Sequence, residues 1–210
     1  MKTDVIKIYS DLQGSSDAME AADKFAVYND ITGKNAMHLR LLTEELVSMI
    51  HGILDEFCGL FWLESERTKK GLLCRICFSA DKQINRKQEE HILSVSTSGK
   101  NENVKGVMGR IRELFRRGIQ AESVEDERYL TSVTDAMMSM GMMRSGASAS
   151  SAAFWSLQAY RQDVYTAKDN KTEEWDELEK SIIAKLADEV KVWLKTDVTE
   201  IVIEKLFPVK

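Results

Sequence analysis

The residues best suited to chemistry lie in two short stretches. Glu45 and Met49 stand one turn apart on an expected helix, with Glu44 and Ser48 nearby and His51 just beyond. A carboxylate in such a place can act as a general base or hold a metal ion. Glu45 is therefore the candidate catalytic residue. The plain alternative is an acidic flank of an apolar stripe, facing water. The second stretch is a helix start spaced by Gly106 and Gly109. Glycines let backbone amides come close to an anion, and a helix N-terminus favours negative charge. Lys100, Lys105 and Arg110 flank it as candidate anion ligands. From Lys100 to Arg117 six basic residues face only Glu102 and Glu113, a local excess of four positive charges. The plain alternative is a polar loop followed by a solvated helix face. Any retained small-ligand site is expected at this helix start, with a preference for anions.

Other reactive side chains carry less. Cys74 and Cys77 form a C-x-x-C inside the apolar run Leu72 to Phe78. In a strand, residues three apart point to opposite faces, so neither chelation nor a redox turn is expected. With Cys58 the cysteines number three, an odd count that fits buried thiols better than a disulfide framework. His38, His51 and His91 lack metal-ligand spacing, and no metal is assigned. Met137, Met138, Met140, Met142 and Met143 read as core filling or as an adaptable partner surface, within a methionine-rich segment 133–143. Trp62, Trp155, Trp175 and Trp193 read as core residues.

These groups need elements to position them. Val5 to Tyr9 reads as a strand, and Gly14 to Asp17 as a turn with N-cap residues. Met19, Ala22, Phe25 (or Ala26) and Asn29 predict a helix to about Ile31, stopped by Gly33. Leu39, Leu42, Leu46, Met49 or Ile50, and Ile53 predict a second helix from about Asn35 to Leu54. Phe57 to Glu64 and Gly71 to Ser79 predict a hairpin joined by the charged, exposed stretch Ser65 to Lys70. Ser94 to Asn101 reads as a loop. Gly106 opens a helix through Ile111, Leu114 and Phe115, ending at Gly118. Helices are expected over Val124 to Met143, Phe154 to Tyr165 and Glu173 to Leu186, the last with a stripe of Trp175, Leu178, Ile182 and Leu186. Val190 to Leu194 and Ile201 to Leu206 form a second hairpin around Thr196 and Asp197.

That order predicts an α+β fold: a mixed, mostly antiparallel sheet with helices packed mainly on one face. The 210 residues read as a single domain, with 120–171 a helical addition within it. The net charge of −5 disfavours a nucleic-acid partner. No apolar run is long enough for a membrane span, and no signal peptide is visible, so a cytoplasmic protein without a membrane role is expected.

The chain resembles the histidine-kinase-like ATPase superfamily, especially the bacterial anti-sigma regulatory kinases. Asp17 to Phe25, after the opening strand, looks like the family's first helix. Leu42 to Gly52 looks like its N-box helix, and Gly106 to Leu114 like the glycine box beyond the ATP lid. The resemblance implies a histidine-kinase-like ATPase fold, with Glu45 at the general-base position. Met49 stands where the family has its magnesium-binding asparagine, and a thioether is a poor ligand for that ion. After the second hairpin strand, Asp81 is present, but the two glycines of the adenine-reading box are not.

The expected function is therefore a regulatory, protein-binding module on a degenerate fold of this family, without catalysis and with an unidentified protein partner. No cofactor is expected, and magnesium-ATP would bind weakly or not at all. The alternatives are an active nucleotide-binding serine kinase of anti-sigma type and an unrelated α+β domain.

Overall fold

A computed structural model describes residues 1–50, 58–81, 107–109, 111, 112, 114, 153–166, 178, 180–194 and 198–208. The elements in chain order begin with β1 (Ile6–Tyr9), α1 (Ser15–Tyr28) and α2 (Lys34–Ile50). They continue with β2 (Cys58–Thr68), β3 (Gly71–Asp81), β4 (Ala153–Ser156) and α3 (Leu157–Thr166). The last are α4 (Ile182–Leu186), β5 (Glu189–Leu194) and β6 (Val198–Phe207). The described residues between 107 and 114 are helical.

The strands make one six-stranded sheet in the order β1-β2-β3-β6-β5-β4. Where the sequence allowed a mixed sheet, every described pairing is antiparallel. The fold is α+β, as expected. Period-two alternation explains which face is buried. Phe61, Phe78 and Ile201 lie in register across three strands, as do Leu63, Ile76 and Ile203, and all six are buried. Val190 and Val192 extend these rows on β5, and Trp155 extends one onto β4. The same core takes in Leu39, Leu42, Leu46 and Ile50 of α2 and Ala18, Ala22 and Phe25 of α1. Gly59 makes room within it, because a Cβ there would meet the Phe78 ring at 2.0 Å.

The opposite face is built from crossed charges. Arg75 donates to Glu66 (3.0 Å) and Glu204 (3.3 Å), and Lys191 donates to the other Glu204 oxygen (2.9 Å). Lys2 lies 3.4 Å from Glu64 and 4.4 Å from the Trp62 ring centre, while the Trp62 indole donates to Glu64. Trp62 and Trp193 are thus half-buried, and only Trp155 of the described tryptophans is a core residue.

Several expectations need correction. α1 stops at Tyr28, with Asp30 left-handed (φ 56°), and Gly33 precedes α2 instead of ending α1. The first hairpin runs further than predicted: Ser65 to Thr68 are strand, leaving a two-residue turn. Phe154 belongs to β4, so the segment 120–171 contributes an edge strand as well as α3. The helix expected over Glu173 to Leu186 is broken at Ser181, whose side chain caps α4 by accepting from the Ala184 amide. The break re-phases the helix, so Ile183 and Ala184 are buried and Ile182 is exposed. Ile53, Phe57, Trp175, the methionine segment and the loop at Ser94 lie outside the described residues.

Candidate functional site

The apolar stripe of α2 buries Leu42, Leu46, Met49 and Ile50, which leaves Glu45 at the edge of the core and Glu44 in water. Burial, and secondarily the Glu44 charge, push the Glu45 carboxyl above the ordinary carboxylate range. A base held closer to neutrality is better matched to proton transfer. The described part of the 107–114 helix buries Val107, Ile111 and Leu114, the i, i+4, i+7 face of one helix, in the same core.

Arg112 joins the two helices. Its Nε donates to the Met49 carbonyl at 2.9 Å, and a terminal nitrogen donates to the Ser48 carbonyl at 3.4 Å. These carbonyls lie in the last described turn of α2, where a cation suits the helix dipole. Arg161 repeats the device at α4, donating to the carbonyls of Ala184 and Ala187. Arg112 therefore ties the Glu45 helix to the Gly109 helix. From the sequence, Arg112 is one of six basic residues between Lys100 and Arg117. Its role was not visible, because no spacing rule links residues 63 apart.

The other site residues divide by position. Met49 is 1% exposed, with its thioether packed in the core. Gly109 is helical and half-buried. Lys100, Lys105, Gly106 and Arg110 lie outside the described residues. Asp81 is the last residue of β3, opposite Val198. Met49 offers a soft sulfur enclosed in the core, a poor donor for a hard cation, and its carbonyl already accepts from Arg112. Among the described residues no group of three or more His, Cys, Asp or Glu could hold a metal.

The cysteines follow the alternation argument. Cys74 pairs with Ser65 on the helix side and Cys77 with Trp62 on the opposite face. Both are buried, and burial pushes both thiols up to about 12. A further polar cluster went unpredicted. Glu189, in β5, accepts from the Ser156 hydroxyl (2.8 Å) and the Gln158 amide (3.1 Å), so a carboxylate of the chain itself fills the N-terminus of α3. No family model matches the chain, and no curated protein or solved structure matches it.

Proposed function

We propose that the chain is a regulatory, protein-binding module on a degenerate histidine-kinase-like ATPase fold, with no phosphoryl transfer of its own. One observation carries this reading. At the position that matches the family's metal ligand, the Met49 side chain is given over to core packing and its carbonyl to Arg112. Glu45 then has no metal-held phosphate beside it, and a base without that positioning does not support phosphoryl transfer. Calorimetry with magnesium-ATP tests the reading, and the expected result is no binding at micromolar nucleotide.

The raised carboxyl of Glu45 favours a second reading, an active nucleotide-binding serine kinase of anti-sigma type. Micromolar affinity for magnesium-ATP that Glu45→Ala abolishes would replace the first reading with the second.

A further inference from the structure

A groove of about 490 Å³ runs between the N-terminal segment and α1. One wall is residues 1–4 with Ile6. The other is Asp17, Glu20, Ala21, Lys24, Phe25 and Tyr28, a single face of α1 at i, i+3, i+4, i+7, i+8 and i+11. The walls run in opposite directions, as the contact of the Asn29 amide with the Met1 sulfur at 3.6 Å shows. Met1 and Tyr28 therefore share one end, and Asp4 and Asp17 lie towards the other. From Asp17 to Tyr28 the helix rises about 16 Å, the length of about five residues of extended chain.

The strand wall is the sheet edge. Lys2 pairs with Glu64 and Ile6 with Phe61, so three residues on the edge oppose two on β2. This is a bulge. Within it the amides of Asp4 and Val5 donate to nothing among the described residues. The charges are uneven as well. Lys24 pairs with Glu20 and Lys2 with Glu64, while Asp4 and Asp17 have no ion-pair partner among the described residues. Asp17 lies in the first turn of α1, where the dipole balances part of its charge, so Asp4 carries more of the uncompensated charge. Tyr28 is 73% exposed at the far end.

We infer that this groove binds an extended peptide segment of a partner protein, with a basic side chain at the Asp4–Asp17 end and an aromatic one at the Met1–Tyr28 end. Main-chain bonds to the edge would supply affinity and the two ends specificity. A second copy of this chain fits less well, because each copy carries a net charge of −5 and would bring like charge to the acidic end of the groove. The inference deepens the protein-binding reading and rests on it only for the class of partner. The magnesium-ATP calorimetry probes a different place, so the two failures are distinguishable.

The test is NMR titration of the ¹⁵N-labelled chain with the blocked pentapeptides Lys-Thr-Val-Thr-Phe and Phe-Thr-Val-Thr-Lys, one for each strand direction. At least one is expected to give saturating shifts at the amides of Asp4, Val5, Ala21 and Tyr28. Replacing its lysine by glutamate, or combining Asp4→Asn with Asp17→Asn, should weaken it about tenfold at low salt. The absence of saturating shifts from both peptides would overturn the inference. So would equal binding of the glutamate versions, or the same amides shifting with protein concentration alone as the chain dimerises.

Discussion

At the scale of single residues, the environment of Glu45 makes a claim about stability. Its folded carboxyl titrates above the ordinary value because burial, and then Glu44, oppose its charge. The folded state thus holds the proton more tightly than the unfolded state. Stability falls as pH rises from the ordinary carboxylate value through the folded one, and the penalty persists at neutral pH. Glu45→Gln should therefore raise the urea midpoint near pH 7, and the advantage should vanish below about pH 4. An unchanged midpoint at both pH values would mean that the carboxyl is solvated and the site less enclosed than described. Cys74 and Cys77 illustrate what single-residue reasoning can deliver. Their opposite facing followed from strand parity alone, because two-fold alternation needs no tertiary information.

At the scale of elements, Arg112 is the part whose removal is most informative. Arg112→Ala deletes both bonds to the α2 carbonyls and the cation at that helix end. The cost should be about 1–3 kcal/mol in urea unfolding, with Arg112→Lys recovering part of it. Equal stability of parent and alanine variant would show that the apolar faces alone hold the two helices. The stripe Leu39, Leu42, Leu46 and the two hairpins were legible because their periodicity is local. The errors were of another kind. Phe154, Leu157 and Tyr160 share a helical spacing, yet pairing with Trp193 draws Phe154 into a strand. Across Ser181 nothing in local propensity forbids one continuous helix, and the packing of Ile183 and Ala187 decides the break. The Glu189 cap on α3 was equally invisible, since its donors lie 31 and 33 residues away.

At the scale of the whole molecule, the α+β class was readable from element order, while the sheet neighbours beyond the two hairpins were not. Strand order depends on which apolar rows meet, and Ile76 meets Ile203 across most of the chain. That pairing has a consequence for how the protein comes into being. β6 follows every other described strand in sequence, yet it sits in the middle of the sheet between β3 and β5. During synthesis the first three strands leave the ribosome with the inner edge of β3 bare, and β4 and β5 emerge with no sheet to join. Only the arrival of β6 welds the halves. Bare edges of this kind recruit other chains, and long-range closure is slow. A fragment ending at Asp197 should therefore show no cooperative unfolding transition and should bind the dye ANS, whereas the full chain should unfold cooperatively and bind little. A cooperative fragment would mean that the halves are independent. If the fragment fails as expected, the sheet closes only once β6 has left the ribosome, and the nascent chain waiting for it is the form that chaperones must recognise.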